Sequence, residues 1–414
     1  MRAQPIPGWR ASVTDLGLPG STPEAPLSSR VSTNDDQRWS DPFVGSLGDA
    51  GFLMARTSGG PDNQWWLAGI DVRDGRRLFA PVQLDSGEFA PKCFLNGPDA
   101  LLCIRQQTGS ATAWVISAHT GEVTYAGPTD LRTSTGKLGV SQVGIYAIAQ
   151  SMNQGAYGVG PRAETTWFVP GAGDVRTSFI HSNVAPQALA TQTTGGRGSD
   201  RMVVFSLVDG GVITPELDEG LRPLAAVSYP GGFAVEVVEQ ARKSTADGVV
   251  FFDDDGKQLG RVDTSDFLSR SSMDVPIVES APDSLVFSRE GFELAQITRF
   301  GPGSMALLIG NRLFIAGTRH GAPAKQYDLQ TGIEGKECDL FIGAYVGSDG
   351  TVGVFGDGNP GAAPVTTAID LATCEPLWTI TSPKGSFRDM WRVNTTLVQL
   401  SDDGTELMSL VAPS

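Results

Sequence analysis

The sequence predicts an all-β fold, a β-propeller of seven or eight four-stranded blades whose ring is closed by an N-terminal strand. Three observations lead there. A strand–turn–strand pattern recurs along the chain: Trp66-Leu-Ala-Gly-Ile-Asp-Val-Arg-Asp-Gly75, Trp114-Val-Ile-Ser-Ala-His-Thr-Gly121, Gln326-Tyr-Asp-Leu-Gln-Thr-Gly332 and Ala368-Ile-Asp-Leu-Ala-Thr-Cys374. Gly75 and Gly121 lie 46 residues apart, as do Gly210 and Gly256. That is the length of one four-stranded blade. The composition, with Gly 51, Pro 26 and only 19% charged residues, suits short strands and tight turns. A strand–turn–strand unit cannot bury its own apolar face, so repetition at this period implies side-by-side packing in a ring.

The elements follow in order, in one domain spanning residues 1–414. Residues 9–16 carry a lone strand pattern, and 18–38 read as an irregular linker rich in Pro, Ser, Thr and Asp. A strand isolated in this way is what ring closure needs. It would complete a last blade made with Thr395–Leu400 and Thr405–Val411, leaving no open edge. The blades occupy 43–412. Candidates cover about 43–83, 92–127, 137–180, 186–217, 223–263 and 340–380. Residues 275–338 read as one blade with an insertion, or one and a fraction. That leaves the count at seven or eight.

The segments Ile70-Asp-Val-Arg-Asp-Gly75, Tyr327-Asp-Leu-Gln-Thr-Gly332 and Ile369-Asp-Leu-Ala-Thr373 with Leu377-Trp378 resemble PQQ-like (quinoprotein-like) propeller repeats, which have an Asp strand, a Thr-Gly turn and a trailing Trp. The resemblance implies a seven- or eight-bladed, WD40-like ring, and many such proteins are exported and non-enzymatic. It does not imply the quinone. The quinone enzymes of that family carry a vicinal cysteine pair and an acidic calcium site, and no two cysteines here are adjacent.

A net charge of −15 repels a phosphate backbone, and the chain has no Lys/Arg run to override it, so nucleic acid is not the expected partner. No stretch of about 18 apolar residues crosses a bilayer. Met1–Trp9 lacks the apolar core of a signal peptide. The cysteines favour an exported protein whose signal or anchor is absent from this sequence.

Cys93 and Cys103 flank the turn Asn96-Gly-Pro-Asp99, which sets them opposite each other on a hairpin, within disulfide reach. The expected second pair is Cys338 and Cys374, read as belonging to one blade. No hairpin fixes that pair, and four cysteines allow three pairings. Free thiols are the bland alternative. A zinc site fails on spacing, because there is no Cys-x-x-Cys and His119, His181 and His320 are distant in sequence. Two disulfides imply an oxidising compartment.

No residue is singled out as catalytic, cofactor-binding or metal-binding, and no cofactor is expected. Asp253-Asp-Asp-Gly256 has Phe251 where a calcium loop needs its first ligand and reads as a charged turn, as does Ser401-Asp-Asp-Gly404. The three histidines read as surface or capping residues. Trp65, Trp66, Trp114, Trp167 and Trp378 read as packing between blades, and Trp9, Trp39 and Trp391 as packing at the closure. Segments 57–64, 152–164 and 192–201 read as long loops able to carry binding residues. The expected function is an extracytoplasmic binding or scaffold protein engaging a protein or cell-envelope partner through one face of the ring. The alternative is an extracytoplasmic hydrolase or quinone-type oxidoreductase with its site in the central funnel. Titratable groups converging on the axis would favour the enzyme, and an apolar rim would favour the partner surface.

Overall fold

The computed structural model describes residues 1–413, except 22–26, 34–40, 60–61, 135, 176–187, 194–201, 240–245, 271, 281, 299–302, 318–322 and 357–364. Among the described residues it contains nine separate antiparallel sheets. Each is one blade, so the ring has nine blades and not the seven or eight expected.

Blade 1 holds Phe43–Leu47, Ala50–Ser58, Gln64–Asp71 and Val82–Ser86. Blade 2 runs from Lys92–Leu95 to Val123–Pro128, blade 3 from Gly139–Val143 to Thr165–Pro170, and blade 5 from Arg222–Tyr229 to Gln258–Val262. Three strands of blade 4 are described, Leu189–Thr193, Met202–Ser206 and Val212–Ile213. Blade 8 runs from Tyr345–Ser348 to Pro376–Thr381.

The miscount lies in 275–338, which belongs to two blades. Blade 6 is Phe267–Leu268, Ile277–Glu279, Asp283–Phe287 and Glu293–Thr298, and blade 7 is Met305–Ile309, Arg312–Ala316, Ala324–Asp328 and Ile333–Cys338. The first two strands of blade 6 are too short for alternation to stand out in the sequence. Only their pairing, Phe267 with Glu279 and Ile277 with Val286, identifies them as strands.

Blade 9 is built from both ends of the chain. Met390–Val393, Thr396–Leu400 and Glu406–Val411 are joined by Ile6–Ser12, which runs antiparallel to the last of them from Ile6 opposite Val411 to Ser12 opposite Glu406. The strand thus ends at Ser12, not at residue 16. The segment 18–38 is not wholly irregular either. Ser28–Val31 pairs with the far half of Ala50–Ser58, while Phe43–Leu47 pairs with its near half, so blade 1 carries a fifth strand. Ser29 and Thr57 share a hydroxyl hydrogen bond of 2.7 Å across this added pair.

The core lies between blades. Phe52, Met54 and Trp65 of blade 1 pack with Leu101, Trp114 and Ile116 of blade 2. Val31, Leu53 and Ile70 pack with Trp391, Val398 and Leu407 across the closure. The inner strands present alternate side chains to the two neighbouring blades and are buried on both faces, while the outer strands are largely exposed.

Candidate functional site

Connections in an antiparallel meander alternate between the two ends of its strands. Turns joining the third strand of a blade to its fourth therefore share one face of the ring with turns joining first to second. On this turn face the repeat motif has a defined chemistry. An Asp caps its own turn: Asp71 Oδ1 accepts from Arg73 N at 3.0 Å, Asp328 Oδ1 from Gln330 N at 2.9 Å and Asp370 Oδ1 from Ala372 N at 2.8 Å. Such caps supply what the turn needs from Asp. Asp253 does the same for Asp255 N and Lys257 N, which makes 253–255 a charged hairpin turn.

The glycine that follows has φ near +75° and leaves room for a side chain from the preceding blade. A Cβ on Gly75 would stand 2.5 Å from the Trp9 ring, on Gly210 2.7 Å from Trp167, and on Gly256 2.8 Å from Ile213. The turn motif and the aromatic of the outer strand are thus two halves of one contact between blades.

In blade 8 the glycine is replaced by Cys374, which keeps the left-handed conformation at φ +59° and is bonded to Cys338. Cys338 ends the outer strand of blade 7, not the start of blade 8. The bridge therefore joins two blades where the sequence reading placed it within one. Cys93 and Cys103 are directly opposed on adjacent strands of blade 2 and form the other disulfide, with Cα atoms 4.0 Å apart.

Trp65, Trp114, Trp378 and Trp391 are buried, and Trp9, Trp66 and Trp167 are partly buried. The Trp65 Nε1 donates to Gly87 O at 2.9 Å and Trp391 Nε1 to Asp41 Oδ1 at 3.0 Å. His119 is exposed and bonded to Asp99 at 2.9 Å. His181, His320 and Trp39 lie outside the described residues, as do most of 192–201 and residues 60–61 of the first loop. Segment 152–164 is not a single loop, because it contains the strand Gly155–Val159.

Around the inner strands of blades 6 to 9, titratable groups from three blades influence one another electrostatically. Asp274, whose carboxyl is pushed up by burial, accepts from Leu308 N at 2.9 Å. The Tyr345 hydroxyl is also raised by burial. The Arg392 guanidinium opposes that rise and the Asp274 charge adds to it, while Arg392 Nε donates to Asn394 O at 2.7 Å. Nothing in the sequence marks these residues, since each comes from a different repeat position. Among the described residues no group of three or more His, Cys, Asp or Glu forms a metal site.

The other distinctive surface is apolar. Phe292, Ile333, Val208, Val212 and Val123 stand exposed on the turn face, and Phe89, Met152 and Phe267 on the opposite one.

The model of the conjugation-associated 9-bladed beta-propeller domain family matches residues 1–413. The chain belongs to this family. The family's nine blades agree with the nine sheets, and what it shares with the PQQ-like repeats named from the motif is the propeller fold. The chain is also similar to an uncharacterised protein of Mycolicibacterium smegmatis (strain MKD8), 42% identical over 425 residues, across all of this chain and 86% of that one. Among solved structures it is similar to a eukaryotic initiation factor (10% identity, TM-score 0.45, 85% of this chain and 91% of that one). BamB from Moraxella catarrhalis is another (12% identity, TM-score 0.31, 98% and 100%).

Proposed function

We propose that this chain is a non-catalytic binding module of a DNA-conjugation apparatus, working outside the cytoplasm and holding a protein or envelope partner on one face of its ring. The observation that carries the reading is the set of large apolar side chains left in solvent at the edge of a ring whose core is otherwise closed. Phe292 at 69% and Ile333 at 65% exposure are anchors of the kind that interfaces bury. The family supports the link to conjugation. Two disulfides support an oxidising compartment. The net charge of −15 points to a partner other than the transferred DNA itself.

Two measurements test it: transfer frequency from donor cells lacking the chain, and surface protease accessibility of the chain in intact cells. A large drop in transfer, restored by the wild-type chain, together with accessibility from outside, is the expected result. Normal transfer without the chain would reject the role in conjugation, and full protection from the protease would reject the location.

A second reading, an enzyme of the central funnel, draws on the buried carboxyl of Asp274 and its electrostatic link to Tyr345. Asp274→Asn separates the two. It leaves a binding module functional in transfer and disables an enzyme that relies on that carboxyl.

A further inference from the structure

The exposed apolar side chains of the turn face follow the repeat. Val123, Val212 and Ile333 are each the first residue of an outer strand, directly or almost directly after the turn glycine of that blade. Val208 and Phe292 lie in the turns themselves. They therefore sit where one blade meets the outer strand of the one before it. At the seam of blades 6 and 7, a Cβ on Gly332 would stand 3.0 Å from Leu294 O, which brings Ile333 alongside the strand that Phe292 leads into. At the seam of blades 3 and 4, Trp167 lies against Gly210, with Val208 and Val212 on either side of that turn at 63% and 54% exposure. Each spot is an apolar anchor over a close-packed, rigid base, which lowers the entropic cost of binding there.

Charge selects the occupant. Asp209 stands between Val208 and Val212. Its carboxyl is held below the usual range by the Gly211 N–H and by Ser206, so it stays ionised. Glu293 follows Phe292, whereas Glu334 after Ile333 is already paired with Lys325 at 3.0 Å, so Asp209 and Glu293 carry the local negative charge. A second copy of the chain would bring another charge of −15 against this face, and an anionic membrane would repel it in the same way. Resting on the binding reading above, we infer that the turn face is the docking surface, and that it takes a protein segment in which apolar side chains alternate with Lys or Arg. Apolar anchors flanked by the carboxylates of Asp209 and Glu293 complement that pattern.

The test titrates the purified full chain with a fluorescent amphipathic Leu/Lys helical peptide. The variant Val208→Ser/Val212→Ser/Phe292→Ser/Ile333→Ser changes only exposed side chains, and circular dichroism checks that it stays folded. A control variant, Phe89→Ser/Met152→Ser, alters the opposite face. The expected result is salt-sensitive binding weakened at least about tenfold by the fourfold change and unaffected by the control, as for loss of interface anchors. Equal binding by wild type and fourfold variant overturns the assignment, as does equal binding of a Leu/Glu peptide. Self-association, or capture on anionic vesicles, that depends on the four side chains replaces the proposed occupant and overturns it too. The binding reading fails separately, through normal DNA transfer without the chain. If transfer needs the chain but tolerates the fourfold variant, only the choice of face is wrong.

Discussion

The indole of Trp9 lies against Gly75, its Nε1 donating to Val72 O at 2.7 Å and its six-membered ring occupying the space a Cβ on Gly75 would need. Trp9 belongs to the strand that closes the ring, so this contact at the blade 9–blade 1 seam repeats the one between Trp167 and Gly210.

Gly75→Ala should therefore cost two terms. One is the left-handed backbone at φ +77°, about 1–2 kcal/mol, and the other is overpacking against the indole, about 1–3 kcal/mol. Gly109→Ala, at φ +82° with nothing within 4 Å of the new Cβ, should cost the first term alone. Urea unfolding of the two variants should separate them by at least 1 kcal/mol, roughly the overpacking term. Equal midpoints would mean the indole is not tightly held.

Removing residues 1–12 should leave Glu406–Val411 as an unpaired edge, because Ile6–Ser12 is its outer partner. An open edge of that length invites pairing with other chains. Light scattering after size exclusion should show concentration-dependent association of the shortened chain and a monodisperse intact one. A shortened chain as monodisperse as the intact one would show that closure does not protect the edge.

The bridge between Cys338 and Cys374 spans 36 residues and that between Cys93 and Cys103 spans 10. On chain entropy alone these contribute roughly 4 and 3 kcal/mol. The longer bridge also staples two blades. Cys338→Ala/Cys374→Gly should be more stable than Cys338→Ala/Cys374→Ala by about 1 kcal/mol, because glycine accepts φ +59° without strain. Thermal melts of the two double variants decide it; the reverse order would mean the turn relaxes once the bridge is gone.

Asp274 offers a test by pH. Burial raises its folded-state value above that of the unfolded chain, so the native form holds the proton more tightly. Stability linked to this group is complete at pH below the unfolded value and is lost as pH rises through the folded one. Asp274→Asn should match the wild type in acid and exceed it near neutrality, as read by denaturant midpoints across pH. A constant difference at all pH values would rule out titration as its origin. The turn carboxylates have the opposite sign. Asp71 is held down by the Arg73 guanidinium and Asp403 by the Ser401 hydroxyl, so their contribution is present above the usual carboxylate range and fades as pH falls through their lowered values.

The sequence by itself determined the class of fold, the turn chemistry and the cysteine partner choice for Cys93 and Cys103. Each of these rests on residues close in the chain. Asp and Gly at fixed offsets dictate a capped left-handed turn, and a hairpin places its own flanks opposite each other. Tertiary structure alone decided the rest. The two- and three-residue strands of blade 6 carry no periodicity of their own, so only pairing brought the count to nine. Whether Cys338 ended one blade or began the next depended on that same count. The electrostatic link between Asp274 and Tyr345, and the alignment of exposed apolar residues with the seams, arise between blades, where interactions join residues with no fixed offset in sequence.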